Sequence, residues 1–253
     1  KAIKYLDKNQ CIGIPTETVY GLAANAYSSA ATAKIFKLKK RPKKNPLIVH
    51  YYSLKLLKKD CELNDIFLKL YKKYSPGPIS YILKLKRSSL ISKNVTNKKK
   101  TLAVRFPRHP LTRNLLKRLK YPLAAPSANI STKISPVSKK DVTDEFGKKI
   151  NLVLDGGECK IGVESTIVNL VGKPQVLRLG GIPKMQIRKY LKSRLGYKNT
   201  SAISVPGQGK THYSPYIKLR MNIKKANKNE AFILINKRKE TNKNFFYISK
   251  NNN

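Results

Sequence analysis

The 253-residue sequence contains no tryptophan, three cysteines, three histidines and only 13 acidic residues. Its cysteines, Cys11, Cys61 and Cys159, lie far apart and form no C-x-x-C pair, which argues against a disulfide framework and a zinc site. No apolar run approaches the ~18 residues that a membrane span requires. The sequence also shows no charged-then-apolar leader. We therefore expect a protein of the reducing cytoplasm that does not associate with membranes.

Basic residues outnumber acidic residues by 54 to 13, which gives a formal net charge of +41. Such an excess favours a polyanionic partner such as nucleic acid. The excess is mostly lysine and is spread along the whole chain, as expected from a genome biased toward A/T-rich codons. A protein that reads a nucleic-acid groove would more often concentrate arginine on one element. The charge therefore permits contact with tRNA or double-stranded RNA without establishing it.

Apolar and amphipathic segments alternate through the first 197 residues. Short apolar runs predict strands near residues 11–14, 47–49, 79–85, 101–107, 151–154, 162–168 and 175–181. Amphipathic stretches predict helices within residues 1–10, 28–40, 54–74, 109–120, 137–146 and 183–195, with a polar loop over residues 86–100. This mixture, with 40% apolar residues overall, predicts an α/β or α+β sheet domain over residues 1–197.

The sequence changes character after this domain. Residues 198–216 are rich in Ser, Gly and Pro and have no apolar period, which predicts a linker. Its segment Gly207–Thr211 is similar to part of a P-loop, but Ser204 stands where that motif needs glycine, and no apolar strand precedes it, so we reject a P-loop. Residues 217–253 contain two strand candidates and are too short to fold alone. We expect a partial C-terminal domain there, either truncated or degenerate.

The most informative stretch is the basic corner at residues 39–50, where a helical pattern stops at a proline and an apolar strand follows. Lys39 supplies a point charge, and Arg41 supplies a planar fork suited to phosphate or carboxylate oxygens. Asn45 and His50 add neutral donors and acceptors nearby. A solvated basic loop in a lysine-rich chain would explain this segment equally well when it is taken alone.

Three further segments place polar groups beside apolar runs. Residues 15–22 carry two threonines and a glutamate after the first predicted strand. Arg105 lies within a buried-looking strand, so it either has a partner or points into a cleft, although a surface salt bridge explains it equally well. Ser127 and Asn129 follow small residues, and their alternate spacing aims both side chains the same way in an extended chain. Each segment alone would pass for an ordinary turn or cap.

Taken together and in this order, the motifs resemble those of the YrdC family of threonylcarbamoyl-AMP synthases. They are residues 15–22, 39–50, 102–107, 125–129 with Ser135-Pro136, 164–168 and 178–182. The resemblance covers essentially residues 1–190 and implies a twisted mixed sheet flanked by helices, with a basic concave cleft. The linker, with Pro206-Gly207 and residues 212–215, resembles that of the longer, two-domain members.

The resemblance implies an L-threonylcarbamoyladenylate synthase, a nucleotidyltransferase that uses ATP, L-threonine and bicarbonate and releases pyrophosphate. Its product would pass to t6A transferase proteins that modify tRNA at position 37. Mg²⁺ is expected to accompany the nucleotide, held mainly by phosphates and water. In this reaction a carbamate on the threonine amine attacks the α-phosphate. Catalysis would therefore depend on positioning and on neutralising phosphate charge, with little need for a protein nucleophile.

The resemblance also implies particular site residues. The K-x-R and S-x-N set of catalytic residues falls on Lys39, Arg41, Ser127 and Asn129. The implied ATP-binding residues are Arg41, Asn45, Thr101, Ser127, Ser135, Arg178 and Tyr213. The implied threonine-binding residues are Thr18, His50, Arg105, Ala125 and Ser165. Arg105 is the natural partner for the threonine carboxylate, no protein metal ligand is implied, and Lys40 stands where the family usually has glycine.

Two rival functions are compatible with the sequence at this point. One is a tRNA or double-stranded RNA-binding module without synthase activity, which the charge favours and the lack of clustered aromatic residues and RNA-binding motifs disfavours. The other is carbamoyl transfer of the kind carried out by hydrogenase-maturation carbamoyltransferases. Those proteins carry zinc-finger segments, which the cysteine spacing excludes here.

Overall fold

The computed structural model describes residues 1–192, 196–197, 218–236 and 242–248. Contacts divide the chain into a first unit, residues 1–214, and a second unit, residues 215–253. The linker expected over residues 198–216 lies outside the described residues, so its boundaries stay a prediction. None of the helices in the described parts of the chain has the length and apolar character of a membrane span.

The first unit contains eight α-helices within its described residues. They are α1 Ala2–Asp7, α2 Ser29–Lys39, α3 Leu54–Asp60, α4 Asp65–Tyr74, α5 Lys93–Thr96, α6 Pro110–Arg118, α7 Lys139–Phe146 and α8 Lys184–Leu191. Polar side chains begin several of them, because the first backbone N–H groups of a helix need acceptors. Ser28 accepts a hydrogen bond from the N–H of Ala31 at the start of α2. Ser138 and Asp141 form a reciprocal capping box at α7.

Nine strands of the first unit form one mixed sheet among the described residues. They are β1 Ile12–Ile14, β2 Gly21–Asn25, β3 Ile48–His50, β4 Ile79–Lys84, β5 Thr101–Arg105, β6 Leu123–Ala124, β7 Thr166–Asn169, β8 Gln175–Arg178 and β9 Gly196–Tyr197. Their order is β1-β2-β6-β3-β5-β4-β7-β8-β9. The pairs β3–β5, β4–β7 and β8–β9 are parallel and the other pairs are antiparallel. The predicted α/β (α+β) class, a mixed sheet flanked by helices, is confirmed.

The central strands bury side chains on both faces of the sheet. Tyr81 and Val104 belong to the main hydrophobic core, whereas their neighbours Ile82 and Ala103 belong to a smaller cluster. Successive side chains of a strand point to opposite faces, so the two clusters lie on opposite sides of the sheet. The smaller cluster supports the face on which the candidate site is built.

Three polar side chains form a row across the face of the sheet that carries the smaller cluster, which is called the second face below. His50 on β3 is in register with Arg105 on β5, and Arg105 is in register with Ser80 on β4. Residues directly opposite each other on neighbouring strands point to the same face. All three are buried, so the row needs partners or a ligand to satisfy its polar atoms.

The single helix predicted within residues 54–74 is wrong, because two helices, α3 and α4, occupy this stretch. The chain becomes extended at Cys61, which ends α3. Cys61 also forms an isolated antiparallel bridge with Leu85, beside the end of β4. This pairing with a strand that is distant in sequence breaks a helix that local periodicity alone would continue.

Two other local predictions also differ from the structure. The loop predicted over residues 86–100 contains the short helix α5, which begins where Ser92 accepts a hydrogen bond from a backbone N–H. The strand predicted over residues 151–154 forms only an isolated parallel bridge between Val153 and Gly13. In both cases contacts with distant parts of the chain outweigh the weak preference of the local sequence for a loop or for a strand.

The described residues of the second unit contain two short strands, β10 Phe232–Leu234 and β11 Phe245–Tyr247, as the apolar runs predicted. The strands pair in parallel. The rings of Phe232 and Phe245 meet edge to face with centroids 5.5 Å apart. Arg220 pairs with Glu230 in the same unit.

Candidate active site

A pocket in the first unit lies at one end of the central strands, where the second face of the sheet meets four loops. It brings together seven of the residues that the motifs assigned. They are Arg41, His50, Arg105, Ala125, Ser127, Ser165 and Arg178. The remaining wall includes Thr16, Tyr20 and Glu164. The pocket therefore combines three guanidinium groups with neutral donors and one carboxylate, which suits an anionic ligand.

Backbone carbonyls hold Arg41 at the pocket. The helix α2 ends at Lys40, which adopts the left-handed conformation (φ 49°) that reverses the chain. The Nε of Arg41 donates to the carbonyl of Asn45 (3.1 Å), and one terminal nitrogen donates to that of Pro46 (3.0 Å). Burial and the nearby charge of Arg178 lower the pKa of Arg41 to about 10, so it remains a cation at neutral pH.

Arg105 forms a buried ion pair with Glu17, with 2.8 Å between Nη2 and Oε1. The second carboxylate oxygen of Glu17 accepts the backbone N–H of Arg108 (2.9 Å). Burial alone would raise the pKa of Glu17, but the charge of Arg105 and these hydrogen bonds lower it overall. The Nε of Arg105 is buried and has no hydrogen-bond partner among the described residues. Arg105 thus has a partner and also keeps a donor for a ligand in the pocket.

His50 lies beside Arg105 in the sheet register and also lines the pocket. It is only 2% exposed, and its Nδ1 has no hydrogen-bond partner in the described part of the chain. Burial and the charge of Arg105 hold the pKa of His50 well below its usual value. The imidazole is therefore neutral at physiological pH and offers one nitrogen to a ligand.

His50 is expected to make the folding stability depend on pH. Its pKa is well below 6.5 in the folded chain and near 6.5 in the unfolded chain. Protonation thus favours the unfolded state, so this stability is complete above about pH 6.5 and falls as pH decreases, by up to about 1.4 kcal/mol per pH unit. Urea unfolding between about pH 7.5 and about pH 5.5 tests this, with His50→Gln as the control. Equal pH slopes for the two proteins would contradict it.

Arg178 closes the opposite wall from the end of β8. Its Nε and Nη2 donate to the carbonyl of Ser165 (3.1 and 2.8 Å), and Nη2 also donates to the Ser165 hydroxyl (3.1 Å). Burial lowers the pKa of Arg178 to about 10, although the carboxylate of Glu164 opposes this shift. Arg178 is charged at neutral pH, and its position depends on the backbone at Ser165.

Lys39 and Asn129 lie behind the pocket wall rather than on it. The Nζ of Lys39 donates to the carbonyl of Ser127 (2.5 Å) and to the carbonyl of Asn129. The Asn129 amide donates to the carbonyls of Ile130 (2.9 Å) and Lys133 (2.8 Å). The expectation that Ser127 and Asn129 aim the same way required an extended chain, and the chain instead bends at residues 128–130. Lys39 instead ties this bend to the end of α2.

Two assigned residues support the wall from the next layer. The Thr18 hydroxyl lies 2.9 Å from that of Thr16, which lines the pocket. The Ser135 hydroxyl donates to the carboxylate of Glu164 (2.7 Å), which also lines it. Both residues contact lining side chains, and their assigned contacts with threonine and ATP stay predictions.

Of the remaining three assigned residues, Thr101 and Asn45 do not line the pocket and Tyr213 is not described. Thr101 begins β5, and at about 3.3 Å per residue this is about 13 Å along the strand from Arg105. Asn45 contributes its carbonyl to Arg41, and its side-chain oxygen is buried without a hydrogen-bond partner in the described ranges. Tyr213 lies outside the described residues. Their assignments to ATP stay predictions.

Glu17 and Glu164 belong to the sequence motifs, but the motifs predicted no function for either residue. Both residues contribute to the site in the structure: Glu17 neutralises Arg105, and Glu164 lines the pocket. A signal was present, because residues 18–59 and 66–140 contain no acidic residue at all. Carboxylates are scarce in this chain, so one that lies within a motif is unusual. This could have identified Glu17 as a candidate partner for an arginine.

Comparison with known proteins agrees with this geometry. The family model for Sua5, YciO and YrdC proteins, described as telomere recombination, matches residues 4–180. The threonylcarbamoyl-AMP synthase of Pyrococcus abyssi is 39% identical over 223 residues, which cover 85% of this chain and 64% of that protein. The synthase of Schizosaccharomyces pombe is 39% identical over 241 residues, which cover 82% of this chain and 59% of that protein. The chain thus spans about three fifths of the length of these curated relatives.

The solved structures include a close match to the fold. P. abyssi Sua5, crystallised in complex with L-threonine, matches with a TM-score of 0.80 and 37% identity. The match covers 85% of this chain and 64% of that one. The family model, the identity to the synthases and the shared fold all agree with the motif resemblance. The chain therefore belongs to the Sua5/YciO/YrdC family.

Proposed function

We propose that this protein is an L-threonylcarbamoyladenylate synthase, a nucleotidyltransferase that converts ATP, L-threonine and bicarbonate to threonylcarbamoyl-AMP and pyrophosphate. The observation that carries the proposal is the convergence of Arg41, Arg105 and Arg178 on one pocket beside the neutral His50. Three cations with different partners suit a ligand pair that carries phosphate charge at one end and a carboxylate at the other. The threonine bound to P. abyssi Sua5 supports the same substrate here.

The threonine end of the pocket would be built on Arg105 and His50. The Nε of Arg105 is a buried donor without a partner in the described structure, and a carboxylate oxygen would satisfy it. The free Nδ1 of His50 lies at the neighbouring register position, where a second polar group of the amino acid would meet it. Thr18, Ala125 and Ser165 would complete this end.

The nucleotide end would be built on Arg41 and Arg178, together with Ser127. Both guanidinium groups are held by backbone carbonyls, so little reorganisation is needed when phosphate binds. The threonine amine attacks the carbon of bicarbonate to form a carbamate, and the displaced oxygen leaves as water. A carbamate oxygen attacks the α-phosphorus of ATP, and pyrophosphate leaves with the bonding electron pair. Arg41 and Arg178 would neutralise the charge that develops on the phosphate oxygens.

Mg²⁺ would enter with the nucleotide, as an ion held mainly by phosphate oxygens and water. The described residues contain no group of three or more His, Cys, Asp or Glu placed to hold a metal ion. Glu164 is a carboxylate of the pocket wall, which fits an ion that takes at most one protein ligand. When bound, Mg²⁺ would offset the negative charge of the phosphates, while Arg41 and Arg178 orient them.

The substitution Arg41→Ala is expected to reduce pyrophosphate release from ATP, L-threonine and bicarbonate by at least about 100-fold, since it removes an oriented charge at the phosphates. Release is measured with and without threonine. Arg87→Ala is the matched control, because Arg87 is exposed and does not line the pocket. Both variants should unfold at the wild-type denaturant concentration. Unchanged release by a folded Arg41→Ala protein would refute the assignment.

In the cell, we propose that the product serves the first step of t6A formation at position 37 of tRNA, in the cytoplasm, through downstream t6A transferase proteins. The alternative, an RNA-binding module without synthase activity, draws on the net charge of +41. Thermal-shift measurements separate the two, because a ligand that binds the folded state raises the melting temperature. Stabilisation by ATP and threonine would support the synthase. Stabilisation by tRNA alone, with a steep salt dependence, would support the alternative.

A further inference from the structure

One hydroxyl group lies directly behind the pocket wall and has a single hydrogen-bond partner among the described residues. Ser80, on β4, is fully buried. Its Oγ lies 2.7 Å from the Oγ of Ser165, which lines the pocket. Ser80 also lies beside Arg105 in the sheet register, so it shares the face on which the pocket is built. Ser80 lies outside the motifs and does not line the pocket, so no function has been assigned to it so far.

The hydrogen bonds at Ser165 restrict where the protons can lie. The Nη2 of Arg178 must donate to the Ser165 hydroxyl, because a guanidinium group has no acceptor. Between Ser80 and Ser165, either hydroxyl could donate. If Ser165 donated, the fully buried O–H of Ser80 would have no acceptor among the described residues, and burying an unsatisfied donor is unfavourable.

The other arrangement satisfies every group. Ser80 donates to Ser165, and the Ser165 oxygen then accepts from both Ser80 and Arg178 with its two lone pairs. The Ser165 proton cannot be used in either of these bonds. Because Ser165 lines the pocket, this proton is available there to a ligand oxygen. The two accepted hydrogen bonds fix the orientation of the Ser165 O–H group, so it is already directed to donate before a ligand binds.

We propose that Ser80 is a positioning residue, which turns the Ser165 hydroxyl into a dedicated donor to a carboxylate oxygen of the amino-acid substrate. The inference rests on the proposed function, since it names the function of one wall of the same pocket. It also explains why a polar residue stands at a fully buried position of a central strand, next to Ile79 and Tyr81.

The test measures the dissociation constant of L-threonine by calorimetry in the presence of ATP. Loss of one neutral hydrogen bond typically weakens binding by about fivefold, so Ser80→Ala is expected to raise the dissociation constant by about that factor. Ser80→Thr, which keeps the hydroxyl, should restore binding. Ser29→Ala is the matched control, because Ser29 belongs to another serine pair (3.0 Å to Ser92) outside the pocket lining.

The Ser165→Ala background decides whether Ser80 acts through Ser165. If it does, Ser80→Ala weakens threonine binding in the wild type and has no further effect in Ser165→Ala. An equal loss in both backgrounds, or no loss in either, would overturn the inference. Absence of threonine binding by the wild-type protein would overturn the proposed function and the inference with it. The first two results leave the proposed function standing, so the two failures are distinguishable.

Discussion

Arg105→Met is expected to destabilise the protein by about 3–5 kcal/mol, because it leaves the carboxylate of Glu17 buried without its cation. Glu17 is 8% exposed, and after this change it would keep only the backbone N–H of Arg108 among its hydrogen bonds from other residues. The free energy of unfolding, measured in urea at neutral pH, gives the size of the loss. A change below about 1 kcal/mol would show that the pair is solvated in solution.

The double variant Glu17→Gln/Arg105→Met separates stability from binding. Replacing both members of a buried ion pair removes the unpaired charge, so most of the lost stability should return. Threonine binding should not return, because the donor to its carboxylate is still missing. A double variant that regains both properties would show that Arg105 serves the fold alone.

The pH dependence gives a second readout of the same pair. In the wild type the pKa of Glu17 is lowered on folding, so its contribution is present above the unfolded pKa and is lost as pH falls through the folded pKa. In Arg105→Met, burial would instead raise the pKa of Glu17. The variant should therefore lose stability as pH rises through the range above the ordinary glutamate pKa. In that range the Glu17 contribution to wild-type stability is already complete and does not change with pH, so the loss of stability due to Glu17 is expected in the variant alone.

Gly180→Ala is expected to abolish threonine binding and to destabilise the fold by about 1–3 kcal/mol, the usual cost of overpacking. A Cβ at this position would lie 2.6 Å from the carbonyl carbon of Ser165 and from the nitrogen of Thr166. Both atoms belong to the backbone, so no side chain can turn away. The segment that carries Glu164 and Ser165 must then move, and it forms one wall of the pocket.

Gly196→Ala is the control for this change. Its Cβ would meet the side chain of Gln175 at 3.0 Å, and a flexible side chain can move at little cost. We expect wild-type threonine affinity for Gly196→Ala and no measurable binding for Gly180→Ala, both by calorimetry. Wild-type affinity in Gly180→Ala would show that the wall adjusts without loss, contrary to the close packing seen here.

Much of the fold followed from local sequence patterns. The helix that ends before Arg41 and the strand that contains Arg105 were both placed correctly, because each has a clear apolar period and turn residues at its ends. The break at Cys61 was missed because it comes from pairing with Leu85, and no local pattern encodes that contact. The sequence also did not identify Glu17 as the partner of Arg105, because the two residues are far apart in the chain and no local pattern encodes their contact.

The amino-acid sequence by itself determined the family, the mixed α/β class, the excess of positive charge and the set of cationic side chains available for a site. Only the tertiary structure decided which of them face the pocket. Lys39 donates hydrogen bonds to backbone carbonyls 88 and 90 residues away, and Glu17 pairs with Arg105, 88 residues away. The direction of a side chain depends on whichever polar groups the fold brings within about 3 Å of it, and sequence separation carries no information about that distance.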